Sequence, residues 1–137
     1  VRLHGSCAAR KGAGVLLLGE PGSGKSDLLL RLIDRGFVLV ADDQVAIDGL
    51  MASPPDALAG LLEVRGLGLL RLSFAPARLA LAVRLARGER LPLPARYEVL
   101  DLPMVSLDPW FASAPLRVEL ALNAAQGVGS FETGAFG

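Results

Sequence analysis

The sequence predicts one α/β domain, and three observations carry that expectation. Its 137 residues suffice for a single domain of ordinary size. Apolar residues make up 52% of the chain, enough for a substantial core, while aromatics are only 5%, so Leu, Val and Ala must build it. Between Val15 and Ala41 an apolar run, a helical run and a second apolar run follow one another, the order of a βαβ unit.

Taken in order, Val15-Leu16-Leu17-Leu18 lies between Gly14 and Gly19 with no polar position, the pattern of a strand buried on both faces. After a glycine-rich turn, Lys25 to Arg35 carries Leu28, Leu29, Leu32 and Ile33 at helical spacing and stops at Gly36. Phe37 to Ala41 is a second buried strand, with Asp42 and Asp43 at its C-terminal end. This order predicts a right-handed crossover. Gln44 to Ile47 reads as a further strand turned by Asp48-Gly49, and Ser53 to Asp56 as a loop leading into a short helix through Ala57 and Leu58. Leu61 to Val64 is extended, and Arg65 to Gly68 is a loop. Leu79, Leu81, Val83 and Leu85 alternate with Ala80, Ala82 and Arg84, which predicts a half-buried strand. Leu91 to Pro94 is too rich in proline for a helix. Tyr97 to Leu100 and Met104 to Leu107 are expected as short strands. Leu116 to Ala125 has alternating apolar residues, yet Ser113 and Pro115 are good helix starters, and a helix is expected. Residues 1–126 are expected to form the domain, and Gly127 to Gly137 a loose tail.

Fourteen basic residues balance fourteen acidic ones, so bulk charge argues for neither a nucleic-acid nor a membrane partner. No apolar run approaches the roughly 18 residues of a spanning helix. No basic segment followed by an apolar one opens the chain, and the single Cys7 cannot form an intramolecular disulfide. A reduced cytoplasm is the expected compartment. Twelve of the basic residues are arginine, and the two lysines are Lys11 and Lys25. Lys25 stands where phosphate chemistry needs one.

Gly19-Glu20-Pro21-Gly22-Ser23-Gly24-Lys25-Ser26 matches G-x-x-x-x-G-K-[ST] in full. The glycines let the backbone take left-handed angles, so that successive N–H groups converge on one phosphate. The helix that follows presents its positive N-terminus to the same anion. Lys25 is placed to reach the β and γ phosphates, and the Ser26 hydroxyl to hold Mg²⁺, which makes ATP and Mg²⁺ the expected ligands. Ligands of parallel α/β sheets sit beyond the carboxyl ends of strands, so Asp42 and Asp43 should face this phosphate site. Side chains alternate along a strand, which predicts that the two carboxylates point different ways. One is then suited to the metal shell and the other to taking a proton from an acceptor hydroxyl.

With these residues in view, the chain resembles HPr kinase/phosphorylase, a bacterial family acting on the phosphocarrier protein HPr of the sugar phosphotransferase system. The matching stretches are His4-Gly5, Gly14 through Ser26, Arg35 through Asp43, and Glu63-Val64-Arg65-Gly66-Leu67-Gly68-Leu69-Leu70. The resemblance covers residues 4 to about 74 well and the rest loosely; it implies the catalytic domain alone or a natural short form without the family's N-terminal domain. It implies a P-loop α/β domain with a mixed sheet, related in architecture to phosphoenolpyruvate carboxykinase, and a homo-oligomer. It further implies that Lys25 contacts the transferred phosphate, that Ser26 and Glu63 hold Mg²⁺, and that Asp43 is the general base for the serine of HPr and the acid of the reverse phosphorolysis. His4 is then expected near that carboxylate, and Arg90 matches the family's later catalytic arginine.

The departure is C-terminal. The family carries a Pro-Val-Arg-Pro-Gly-Arg-Asn-like loop associated with dephosphorylation and subunit contacts. Here the corresponding stretch, Leu107 to Ala114, contains no arginine, and Asp108 would repel phosphate. The resemblance therefore supports the kinase reaction more strongly than its reversal, and Trp110-Phe111 reads as an apolar contact for a partner or another subunit. Two rival functions share the phosphate loop: a kinase for a small-molecule acceptor, with its lid supplied by Arg84, Arg87, Arg90 and Arg96, and a non-catalytic nucleotide-gated regulator.

Overall fold

The structure is a computed structural model that describes residues 1–129 and 131–137. Among these residues the elements run, in chain order, β1 (Arg2–His4), β2 (Ser6–Arg10), β3 (Ala13–Leu18), α1 (Lys25–Asp34), β4 (Val38–Ala41), β5 (Gln44–Asp48), β6 (Met51–Ser53), a 3₁₀ turn (Asp56–Leu58), β7 (Leu61–Val64), β8 (Gly68–Arg71), β9 (Ala77–Leu85), β10 (Ala95–Tyr97), β11 (Leu102–Leu107) and α2 (Ala114–Ala125). They form an α/β domain with a nine-stranded mixed sheet and a separate β7–β8 hairpin.

The main sheet runs β1-β5-β6-β9-β3-β2-β4, with β11 added to β9 and β10 to β11. A strand has two edges, and β3 occupies one edge of β9 along most of its length. The other edge is shared: β6 pairs with Ala77 and Arg78, and β11 pairs with Ala82 to Leu85. β9 is parallel to both β3 and β11. β2 is antiparallel to both β3 and β4, which leaves β3 and β4 parallel to one another. The carboxyl ends of β3, β4, β9 and β11 therefore share one end of the sheet, and the start of β2 lies at the same end. The phosphate loop, the Asp42-Asp43 turn and the loops after β9 and β11 leave from there.

β3, α1 and β4 follow one another as the expected βαβ order has them, with β2 inserted between the two parallel strands. Its residues, Ser6-Cys7-Ala8-Ala9-Arg10, are too small and mixed to signal a strand from sequence. That smallness suits a strand paired on both edges and covered on both faces, where Cys7 and Ala8 are fully buried. Burial pushes the Cys7 thiol up to about 12, so it is inert in the folded chain.

Alternation along β3 divides the core. Val15 and Leu17 join Leu28, Leu29 and Leu32 of α1 and Val118 and Leu122 of α2 on the helical face. Leu16 faces the opposite side with Val40, Val45, Ile47 and Leu102. α2 starts at Ala114, two residues before the expected helix, with Pro115 in its first turn. The expected strand Tyr97 to Leu100 is displaced: Tyr97 ends β10, and residues 98–101 turn into β11 with Asp101 at φ 51°. A left-handed residue suits a turn between antiparallel strands, not a strand interior. After α2 the chain turns back and Phe136 packs against the helical core, its ring centroid 6.1 Å from that of Phe131. Ser130, within the stretch expected as a tail, lies outside the described residues.

The two helices are also tied electrostatically. Arg35, at the end of α1, donates from Nε to Glu119 Oε1 of α2 at 2.5 Å, and Arg10 lies 3.9 Å from Glu119 Oε2. The hydrogen bond from Arg35, together with attraction to Arg35 and Arg10, holds the Glu119 carboxyl below the usual carboxylate range. A depressed carboxyl stabilises the fold above its unfolded-state pKa, and that contribution disappears as pH falls through the folded value. Glu119→Gln is therefore expected to unfold at a lower temperature than the parent at neutral pH. The gap should close below the usual glutamate range, as read by thermal melts at both pH values.

Candidate active site

The phosphate loop leaves the carboxyl end of β3 and runs directly into α1. Gly22 and Gly24 take φ of 81° and 96°, which side-chain-bearing residues rarely adopt, and Gly24 is the N-cap of α1. The space is restricted as well: a Cβ on Gly24 would lie 3.1 Å from the Trp110 ring and 3.2 Å from Pro109. Lys25 is only 8% exposed, and its Nζ donates to the carbonyls of Gly19 at 2.6 Å and Glu20 at 3.0 Å. Two of its three donors thus brace the loop, and one remains for an anion.

Asp42 and Asp43 follow β4, as expected, but the alternation argument fails for them. The strand ends at Ala41, so the alternation no longer applies. Asp43 has φ 67°, and its carbonyl accepts from the Gly5 N–H at 3.0 Å. Leaving the strand in this left-handed conformation lets both carboxylates line the same cleft. Their surroundings still differ. Asp42 is buried, and its Oδ1 accepts from the Ser6 hydroxyl at 2.6 Å and from the Ser26 hydroxyl at 3.0 Å. Asp43 is exposed, with its Oδ1 3.7 Å from His4 Nδ1, and the two side chains are 66% and 51% exposed respectively. One carboxylate is sequestered against the phosphate loop, and the other is open to an acceptor.

The cleft, of about 450 Å³, brings together Pro21, Gly22, Gly24, Lys25 and Ser26 with His4, Asp42, Asp43 and Glu63. Glu63 comes from the β7–β8 hairpin. Its neighbour Leu62 is buried in the helical core, and alternation along β7 turns Glu63 outward to the cleft wall beside Arg65. Arg90 lies in the exposed loop after β9, at the same end of the sheet but not among the cleft-lining residues. Among the lining residues that the sequence does not single out for this site are Ser6, Asp27, Leu30 and Trp110. Ser6 lies in β2, which has no strand signature in the sequence, and Trp110, read there as an apolar contact for a partner or another subunit, also lines this cleft. Neither carries a local motif that would have placed it here.

Ser26 Oγ lies 3.0 Å from both Asp42 oxygens, a pairing of hydroxyl and carboxylate. Hard oxygen donors of this type fit Mg²⁺, and Glu63 of the β7–β8 hairpin is a further carboxylate lining the cleft. Asp42 thus joins Ser26 and Glu63 as a candidate on the metal side of the cleft.

Comparison with known proteins identifies the family. The sequence profile of the HPr Serine kinase C-terminal domain matches residues 1–75. HPr kinase/phosphorylase of Cupriavidus metallidurans is 43% identical, over 76% of this chain and 38% of its own length. The protein of the same name from Xanthomonas campestris pv. campestris (strain B100) is 40% identical, over 78% of this chain and 42% of its own length. The chain therefore spans about two-fifths of these curated relatives. The solved Hpr(Ser) kinase/phosphatase from Coxiella burnetii superposes with a TM-score of 0.74 at 24% identity, covering 92% of this chain and 96% of that one, which establishes the shared fold. The profile takes in the phosphate loop, the aspartate pair and the Glu63 hairpin together, and on that match the chain belongs to the HPr serine kinase C-terminal domain family.

Proposed function

We propose that the chain is an ATP- and Mg²⁺-dependent protein-serine kinase whose acceptor is an HPr-type phosphocarrier. The observation that carries this reading is the exposed Asp43 carboxylate, held by its backbone in the same cleft as Lys25 and the phosphate loop. An exposed carboxylate suits an acceptor hydroxyl carried on a protein surface, which must approach from outside.

In the proposed reaction the acceptor serine oxygen attacks the γ-phosphorus, the bond to the β,γ-bridging oxygen breaks, and ADP departs. The hydroxyl proton passes to the Asp43 carboxylate as the new bond forms. The loop N–H groups and Lys25 hold the phosphates and stabilise their charge in a prearranged geometry. Ser26, Asp42 and Glu63 are the residues for Mg²⁺, which when bound neutralises phosphate charge. His4, with Nδ1 3.7 Å from Asp43 Oδ1, stands beside that carboxylate in the cleft. In the reverse direction Asp43 would return the proton, but the loop after β11 offers no arginine for inorganic phosphate, and its Asp108 side chain accepts from the Trp110 N–H. Self-association belongs to this reading too, supported by the exposed Leu67 and Leu69 of the β7–β8 hairpin. The same reading keeps the chain in the cytoplasm, with the phosphocarrier it would modify.

The test is incubation with an HPr-type phosphocarrier, ATP and Mg²⁺, following the intact mass of the acceptor. A gain of one phosphate mapped to serine is expected, with little loss on later addition of inorganic phosphate. An unchanged acceptor mass in the presence of demonstrated ATP binding would reject the reading.

A further inference from the structure

The loop after β11 stands beside the phosphate loop rather than apart from it. Arg31 of α1 donates to the Pro109 carbonyl at 2.5 Å and to the Phe111 carbonyl at 3.4 Å, gripping the loop on either side of Trp110. The Trp110 N–H donates to Asp108 Oδ1 at 2.9 Å, which sets the turn. The indole edge lies against Gly24, where a Cβ would come within 3.1 Å of the ring. Glycine at that position lets an aromatic ring approach the start of α1. Trp110 nevertheless stays 65% exposed and lines the same cleft as Pro21, Gly22, Lys25 and Ser26. The adjacent Phe111 has a cation on its face, Arg117 at 4.8 Å, whereas among the described residues no ring or cation stacks on Trp110. A large apolar ring is thus carried on a hydrogen-bonded loop, left partly uncovered, and set against Gly24 of the phosphate loop itself.

We propose that Trp110 is the stacking platform for the base of the bound nucleotide, an inference that rests on the nucleotide-binding reading above. A triphosphate seated on the loop carries its ribose and base away from the loop, and Trp110, exposed and lining the same cleft, is the large ring beside it. Stacking needs only a planar π-face and accepts any nucleobase, so this residue supplies affinity for the nucleoside and leaves phosphate recognition to the loop.

Trp110 is the one tryptophan of the chain, so its fluorescence reports this position alone. The experiment titrates the full chain with Mg²⁺-ATP and, separately, with Mg²⁺-tripolyphosphate, in the parent, Trp110→Ala and Trp110→Phe. Binding is read by calorimetry, with tryptophan emission recorded in the parent. ATP should quench the emission strongly and tripolyphosphate weakly. Trp110→Ala should bind ATP about tenfold more weakly and tripolyphosphate unchanged, with Trp110→Phe close to the parent. Equal ATP affinity in parent and Trp110→Ala overturns the platform while leaving the nucleotide reading intact. An equal loss for both ligands in Trp110→Ala also overturns it, since the ring would then only brace the phosphate loop. Failure of the parent to bind either ligand overturns the nucleotide reading, and the platform with it.

Discussion

Asp43→Asn is expected to slow phosphoryl transfer about 10²–10⁴-fold, the usual contribution of a positioned general base, with ATP affinity unchanged. The substitution is isosteric, and asparagine tolerates the left-handed backbone that Asp43 adopts at φ 67°. The Gly5 N–H can still bond the carbonyl at this position, so the loop keeps its place. What is lost is the ability to accept a proton. Asp43 is open to solvent and makes no hydrogen bond to the phosphate loop among the described residues, which is why nucleotide binding should survive. Transfer rates from acceptor mass and ATP affinity from calorimetry check both halves. Normal turnover in Asp43→Asn would move the base elsewhere, and a collapse of ATP affinity would assign Asp43 to nucleotide binding.

Asp42→Asn should act on the other half of the chemistry, weakening the Mg²⁺ requirement curve by about 10–100-fold, as loss of a metal-site carboxylate does. Asp42 receives both the Ser6 and the Ser26 hydroxyls in a buried setting. Asparagine keeps an oxygen for Ser6 but removes the charge beside Ser26. Asp42→Ala would go further, leaving the buried Ser6 hydroxyl unpaired at a cost of about 1–3 kcal/mol in stability. Comparison with Glu63→Gln separates the two carboxylates, because Glu63 comes from the β7–β8 hairpin and Asp42 from the end of β4. A shifted Mg²⁺ titration in Glu63→Gln with none in Asp42→Asn would place the metal on the hairpin side alone. The reverse pattern would confine it to Ser26 and Asp42.

Elements that announce themselves by composition were read correctly. The apolar run of β3, the leucine periodicity of α1 and the alternation in β9 each bury a face, and burial selects residue type residue by residue. β1 and β2 were invisible for the same physical reason turned around. β1 has only three residues, and β2 is closely flanked by β3 and β4, so it carries small side chains without a strand signature. The branching of β9, whose far edge serves β6 at one end and β11 at the other, depends on pairing between residues distant in the chain.

The chain's own sequence determined the phosphate loop, because that chemistry is local: glycines, a lysine and a hydroxyl must sit at set spacing on one turn between strand and helix. It also determined that two carboxylates would end the next strand. Which of them is buried and which is open was decided by tertiary structure, through the Ser6 hydroxyl, the Gly5 amide and the left-handed turn at Asp43. Tertiary structure likewise brought Trp110 to Gly24, 86 residues earlier in the chain, through the Arg31 hydrogen bonds. Local motifs encode what one stretch of backbone can do alone, whereas a shared cleft needs side chains from separate strands. Their meeting depends on sheet order and on buried hydrogen bonds that leave no periodic trace in the sequence.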